Sequence, residues 1–294
     1  ILTLYAVCGL LLFFFRNLSI RALLWWAGGF FLVSQLYLLS GWAMFALYEA
    51  GRLPPDAQAG LAEAMTALSR EMGPSNGRFG EELAIYRGDA AAIYGERFGH
   101  LVDMPLVQIL QFSWETMTLM LIGMALFKAR MLTGEWDAAR YRKWAVRCFL
   151  IAVPPLVGLV WYQLVSGFSV AAVFGASLAL SAPFDMVMTI GWAALIMLVI
   201  QTVASPAMVA RLAATGQMAF TNYLVTSIVM TLIFYGYGLG LFGHVGRPGL
   251  YLFCFGMWAA MLLWSQPWLA RHPYGPLEWL WRSLARGERQ AWTR

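Results

Sequence analysis

Long apolar stretches constrain the fold of this chain more than any other feature. Most of the 294 residues fall into apolar runs of about 20 residues, the length of an α-helix that crosses the hydrocarbon core of a bilayer. The composition is 61% hydrophobic and only 12% charged, which is too few charges for a water-soluble surface. Continuous runs indicate helices rather than the alternating strands of a barrel. The sequence therefore predicts an all-α, polytopic transmembrane helical bundle.

Continuous apolar length predicts about seven spans, at residues 1–15, 22–48, 104–127, 145–165, 184–204, 217–241 and 248–269. The first run gives only about 22 Å of helix, which is short of the ~30 Å hydrocarbon core. We therefore expect the sequence to begin inside a helix, with N-terminal spans missing. Segment 166–183 is predicted to be a short or re-entrant piece ended by Pro183.

Basic residues predict the orientation of the spans, because Lys and Arg near span ends stay on the cytoplasmic side. They cluster at residues 16–21, 128–147 and 271–294, whereas residues 52–103 hold eight acidic and five basic residues. This placement accounts for the net charge of +5 without nucleic acid as a partner. The C-terminus is predicted to be cytoplasmic.

Four segments follow from the spans and their orientation. Residues 1–50 hold a first partial span and a second span, 51–103 an outer-face amphipathic helical segment, 104–270 the transmembrane core, and 271–294 a cytoplasmic amphipathic tail. In the outer segment, Leu61, Met65, Leu68 and Met72 share one helix edge, and a second helical piece is predicted from about residue 81 to 95. This segment is either a lid over a site or an inert connector.

Polar side chains at bilayer depth are the main candidates for a functional site, because lipid offers them no hydrogen-bond partner. Glu115 lies about twelve residues into its span, and Gln108, Gln111, Glu115 and Thr118 fall within an arc of about 80°. This stripe predicts a helix face turned to the bundle interior or to a wet cavity. It is typical of a substrate or proton site, and equally of a network that packs helices together.

Three further polar residues are candidates for substrate binding or cavity lining. Asp185 follows Pro183, where a substrate contact and simple stabilisation of a helix N-terminus both fit. Asn222 and Tyr223 lie about one turn into span 217–241, and Asn222 shares a helix face with Thr226. Interhelical hydrogen bonding is the simpler explanation for this pair.

The sequence lacks the spacing of a metal or redox site. The three cysteines are isolated in or beside apolar runs and are predicted to be small packing residues: Cys8, Cys148 and Cys254. None of the three histidines has a second His, Cys or carboxylate at metal spacing, so no metal is expected. No permanently bound cofactor is expected either.

Four stretches of the chain resemble the YeiB family of bacterial inner-membrane proteins, which is catalogued as a domain of unknown function. They are residues 180–184, 216–223 and 232–235, and above all the Gly-Pro-Leu-Glu-Trp-Leu-Trp-Arg sequence at 275–282. The resemblance covers nearly the whole chain. It implies a multi-pass protein of the bacterial inner membrane whose first spans precede residue 1.

The YeiB family is in turn similar in organisation to transmembrane acyltransferases such as heparan-alpha-glucosaminide N-acetyltransferase. This similarity implies transfer of an acyl group from a cytoplasmic donor, with acetyl-CoA as a substrate, to a glycan or lipid acceptor on the outer face of the bilayer. The catalytic residues are then expected upstream of residue 1. A proton-coupled transporter or lipid-handling protein, and a non-catalytic membrane partner, are the alternatives. The resemblance does not fix the oligomeric state, and a homodimer is left open.

Overall fold

Helices make up the fold. The structure, a computed structural model, describes residues 2–72, 79–99 and 103–294, and in these ranges it contains no strand. The helices, in chain order, are α1 (Leu2–Leu12), α2 (Ile20–Glu49), α3 (Pro55–Met72), α4 (Phe79–Arg87), α5 (Ala90–Gly99), α6 (Asp103–Lys128), α7 (Ala138–Val165), α8 (Val170–Phe174), α9 (Ala182–Thr202), α10 (Pro206–Gln217), α11 (Ala219–Phe234), α12 (Arg247–Arg271) and α13 (Pro276–Arg286). The predicted all-α class is confirmed.

Four of the described helices, α2, α7, α9 and α12, are long and apolar enough to cross a membrane. The pair α10 and α11 meets the same criteria together, but it is bent by 77° at Met218 and so forms a broken span or a re-entrant segment. Helix α6 covers the predicted span 104–127 with 26 residues, or about 39 Å. Helix α1 is short, as its apolar length predicts.

Two predicted span boundaries differ from the structure. Helix α7 begins at Ala138 rather than at residue 145, because the Asp137 carboxylate accepts a hydrogen bond from the Arg140 amide at 3.2 Å and caps the helix. Helix α11 ends at Phe234 rather than at residue 241, because Tyr235 adopts an extended conformation. Hydropathy marks apolar length, whereas local hydrogen bonds set where a helix begins and ends.

The described chain divides into two compact units. Unit 1 comprises residues 1–79 and 98–202, and unit 2 comprises residues 80–97 and 203–294. In unit 1, α2 and α1 pack on α6, and α7 packs on α9. The α7–α9 contact is close because Gly191 lies against Cys148, where an added Cβ would come within 2.9 Å of the cysteine Cβ. Cys8 and Cys148 are buried, as predicted for packing residues, whereas Cys254 is exposed.

The outer segment contributes α3 to unit 1. Met65 is buried on the predicted apolar edge, Leu61 and Leu68 are half-buried beside it, and Glu63 is exposed, while the Met72 side chain lies outside the described residues. The predicted helical edge is therefore observed in this part of α3.

The second helical piece of the outer segment is two helices, α4 and α5, because the Asp89 carboxylate caps α5 by accepting a hydrogen bond from the Ala92 amide at 2.8 Å. Both helices lie mainly in unit 2, where they dock on the turn at residues 235–243. The Gly236 amide donates to the Tyr86 carbonyl at 2.9 Å, and Arg87 Nε donates to the Phe242 carbonyl at 2.8 Å. Tyr235, the first residue of this turn, is partly enclosed there, and this burial raises the pKa of its phenol group.

Candidate functional site

A cavity in unit 1 contains the Glu115 side chain. It has a volume of about 650 Å³ and lies between α1 and α6. The face of α6 that carries Met117 and Leu121 is buried against Leu4 and Cys8 of α1 and Leu23 of α2. Glu115 therefore projects beside this packed core, and the rest of the cavity wall is mostly apolar: Leu4, Tyr5, Phe112, Thr116, Leu119 and Met120.

The predicted polar stripe on α6 divides into parts with different environments. Thr118 is buried, and its hydroxyl donates to the Trp114 carbonyl at 2.8 Å and lies 3.4 Å from the Ala27 carbonyl of α2. Gln111 is exposed, and the Gln108 side chain lies outside the described residues. Thr118 thus serves helix packing, whereas Glu115 alone of the described stripe lines the cavity.

Asp185 lies in the first turn of α9, where its carboxylate is exposed and favourably placed at a helix N-terminus. Nearby, the buried Ser181 hydroxyl has no hydrogen-bond partner among the described residues.

The two ends of unit 1 differ in charge. At one end, Lys128 Nζ donates to the carbonyls of Arg16 and Leu18, both at 2.7 Å, and joins the end of α6 to the turn between α1 and α2. Arg130 and Glu135 form an ion pair at 2.8 Å in the loop that follows. This basic end is the end predicted to face the cytoplasm.

A carboxylate that sequence reasoning did not single out lies at the opposite end of α2. Glu49 Oε1 accepts a hydrogen bond from the Ala171 amide at 3.0 Å, and Glu49 Oε2 accepts one from the Ser169 hydroxyl at 2.8 Å. These hydrogen bonds cap the N-terminus of α8 and hold segment 166–183, which the sequence predicts to be short or re-entrant, against the end of α2. That segment continues as a π-helix over Gly175–Ala179.

In unit 2, Asn222 and Tyr223 lie in the first turns of α11, just after the bend. Asn222 is 4% exposed, and its Nδ2 donates to the Thr215 carbonyl at 3.1 Å and to Ser265 Oγ of α12 at 3.3 Å. Tyr223 is exposed. Both side chains line a second cavity, of about 600 Å³, at the bend between α10 and α11. Of the six candidate residues, four therefore lie in unit 1 and two, Asn222 and Tyr223, in unit 2.

Glu278 of α13 is a functional candidate that the sequence did not reveal. Its Oε1 accepts a hydrogen bond from the Thr221 amide at 3.0 Å, and its Oε2 accepts one from the Thr221 hydroxyl. The Leu277 amide donates to the same hydroxyl at 3.1 Å. A Cβ added at Gly275 would come within 2.2 Å of Glu278 Oε2, so the glycine leaves room for the carboxylate in this position. The two family-like stretches, 216–223 and 275–282, thus bind each other.

No group of three metal-ligating side chains is placed to hold a metal ion within residues 2–72, 79–99 and 103–294. The chemistry that the lining residues offer at the first cavity is that of a carboxylate in mostly apolar surroundings. At the second cavity it is that of an amide oxygen and several hydroxyl groups.

The long apolar helices define the protein as a helical membrane protein. The chain belongs to the family described as Protein of unknown function (DUF418), whose model matches residues 126–288. The resemblance to the YeiB family is thereby confirmed. Both stretches that meet at Thr221 and Glu278 lie inside the matched region.

Two uncharacterized bacterial proteins are similar in sequence to the chain. The chain is 34% identical over 177 residues to the uncharacterized protein YeiB of Escherichia coli K12, covering 59% of this chain and 45% of that protein. It is 29% identical over 283 residues to the uncharacterized protein YxaH of Bacillus subtilis 168, covering 96% of this chain and 65% of that protein. The chain thus spans less than two thirds of the length of either relative. No solved structure matches it.

Proposed function

We propose that the chain forms the core of a membrane acyltransferase, in which Glu115 accepts the proton of an acceptor hydroxyl or amine. The observation that carries this proposal is the Glu115 carboxylate on the wall of a mostly apolar cavity of about 650 Å³. Ligand pockets typically have volumes of about 300–1,000 Å³, so the cavity is large enough for the reacting ends of two substrates. An apolar wall also excludes the water that would hydrolyse an acyl donor.

In the proposed reaction, the acceptor oxygen or nitrogen attacks the acyl carbonyl as its proton passes to Glu115. The bond between the acyl carbon and the donor sulfur breaks, and Glu115 gives its proton to the leaving thiolate, which departs as the thiol of CoA. The donor is a cytoplasmic acyl-CoA such as acetyl-CoA, and it is a substrate rather than a resident cofactor. The acceptor is an outer-face glycan or lipid of the bacterial envelope.

The charge distribution of unit 1 supports this orientation. The basic end carries Arg16, Lys128 and Arg130, and cationic side chains bind the phosphates of a CoA nucleotide. Under the proposal this end and the C-terminus face the cytoplasm, in the bacterial inner membrane. Asp185, which is exposed in the first turn of α9, helps to position the acceptor under the same proposal.

The test uses the protein in lipid nanodiscs with acetyl-CoA, CoA and ATP as ligands. A ligand that binds only the folded state stabilises it by about 2.7 kcal/mol at a hundred times its dissociation constant, so acetyl-CoA should raise the unfolding midpoint by several degrees while ATP should not. Glu115→Gln should still bind acetyl-CoA but transfer the acetyl group at least about a hundredfold more slowly, the usual contribution of a general base. Glu63→Gln, on the exposed face of α3, is the matched control. Absence of an acetyl-CoA shift up to millimolar concentration, or a Glu115→Gln protein as active as the control, would refute the proposal.

A proton-coupled transporter is the second candidate, favoured by the bent helices α10 and α11 and by the π-helix after α8. Broken helices commonly form the binding sites of transporters. In this case Glu115 carries the coupled proton, and Glu115→Gln abolishes the pH dependence of substrate uptake into proteoliposomes. Acetyl-CoA then leaves the unfolding midpoint unchanged, which distinguishes the two functions.

A further inference from the structure

The cavity at the helix bend of unit 2 has the features of a binding groove. It has a volume of about 600 Å³ and is lined by neutral side chains, among them Asn222, Tyr223 and Ser227 of α11 and Met261 of α12. Met261 lies near the middle of α12, a helix long and apolar enough to span the membrane. A ligand at this depth comes from the bilayer, because the hydrocarbon core surrounds the helix here.

One atom beside the groove has a hydrogen-bonding capacity that the protein leaves unused. Asn222 donates through Nδ2 to the Thr215 carbonyl and to Ser265, but its buried Oδ1 has no partner among the described residues. A buried acceptor without a donor costs about 1–3 kcal/mol. A ligand O–H group that reaches this buried oxygen, through a small shift of the groove wall at Asn222, removes that cost.

The same region does not suit an anion. The N-terminus of α11 is the local anion-binding position, and the carboxylate of Glu278 already occupies it through the Thr221 amide and hydroxyl. A second negative charge would be repelled by Glu278 and would meet no cation on the groove wall. The groove therefore favours a neutral ligand.

We propose that this groove binds a bilayer lipid with a neutral, hydroxyl-bearing headgroup, such as a monoacylglycerol. The headgroup hydroxyl donates to Asn222 Oδ1, and the acyl chain lies along Met230 and Met261. The site lies in unit 2 and does not depend on the acyl transfer proposed for unit 1, since its test measures binding alone.

Gly216 offers a direct way to block the groove. It lines the cavity, and a Cβ added there meets nothing within 4 Å, so Gly216→Leu should fill open space rather than disturb packing. Gly256 of α12 is the matched control, because it is also a helical glycine with open space around its Cβ position and it does not line the cavity.

The experiment compares 1-palmitoylglycerol with methyl palmitate, which has the same acyl chain and no hydroxyl group. Native mass spectrometry of the detergent-solubilised protein measures the bound lipid at known concentrations. We expect the wild-type protein and Gly256→Leu to bind 1-palmitoylglycerol about tenfold more tightly than methyl palmitate, as expected for one buried hydrogen bond. We expect Gly216→Leu to bind it at least about tenfold more weakly than Gly256→Leu.

Three results would overturn the proposal. Equal binding of the two lipids by the wild-type protein would show that no hydroxyl donor is recognised. Equal binding of 1-palmitoylglycerol by the two leucine variants would place the site elsewhere. Tighter binding of a phosphatidic acid than of 1-palmitoylglycerol would show that the groove takes an anion. The comparisons of lipids on wild-type protein remain decisive if Gly216→Leu fails to fold.

Discussion

Replacement of Glu278 by alanine tests whether its carboxylate holds together the two family-like stretches, 216–223 and 275–282. The Glu278 carboxylate accepts two hydrogen bonds from Thr221, one from the amide at 3.0 Å and one from the hydroxyl. Hydrogen bonds to a charged group contribute about 1.5–3 kcal/mol each when buried. Because Glu278 is only half-buried, we expect Glu278→Ala to lower the free energy of unfolding by about 2–3 kcal/mol, which includes the loss of a negative charge at a helix N-terminus.

Thermal unfolding in detergent, followed by tryptophan fluorescence, measures this loss. For a chain of this size about 1 kcal/mol corresponds to roughly 2–4 °C, so the midpoint should fall by about 4–12 °C. Glu278→Gln keeps one acceptor oxygen and should lose about half as much. Glu288→Gln, in the exposed tail, is the matched control and should leave the midpoint unchanged. A Glu278→Ala protein with the same unfolding midpoint as Glu288→Gln would refute the role of the Glu278 carboxylate.

Two further substitutions test contacts within each unit. Gly236→Ala should release α4 and α5 from the rest of unit 2, because the added Cβ would come within 2.2 Å of the Arg87 carbonyl oxygen. Limited proteolysis should then cut α4 and α5 faster than in the control Gly256→Ala, where the added Cβ meets open space. Glu49→Gln should lower the unfolding midpoint by about 2–4 °C, because one of its two bonds at the N-terminus of α8 is lost, whereas Glu63→Gln should not. Equal cleavage rates of Gly236→Ala and Gly256→Ala would contradict the contact between Gly236 and α4. Equal unfolding midpoints of Glu49→Gln and Glu63→Gln would contradict the role of Glu49 at α8.

The membrane helices were predictable from sequence because apolar length is a local property. The edge of α3 was predictable for the same reason, since the spacing of Leu61, Met65 and Leu68 alone places them on one side of the helix. The bend at Met218 was not predictable from hydropathy, because it lies at the start of the predicted span 217–241 and apolar length does not indicate the direction of the helix before it, α10.

Hydrogen-bond partners were the least predictable part of the candidate sites. The sequence places Asn222 and Thr226 on one face, but the Thr226 hydroxyl donates back to the Asn222 carbonyl of its own helix, and the interhelical partner of Asn222 is Ser265. The sequence marks residues 275–282 as a family-like stretch, but it assigns no role to Glu278 within that stretch. Its partner Thr221 lies in a different helix, and spacing along the chain cannot identify such a pair.

The contact between Thr221 and Glu278 joins residues that are separated by 57 positions in the chain. At a synthesis rate of about 5–20 residues per second, the ribosome needs roughly 3–11 s to add Glu278 after Thr221. During this interval the first amides of α11 have no carboxylate to cap them, although the helix itself has already been made. The bent helix pair therefore reaches its final form late in biosynthesis, after α12 has been translated, and a ribosome that stalls within α12 leaves it unfinished.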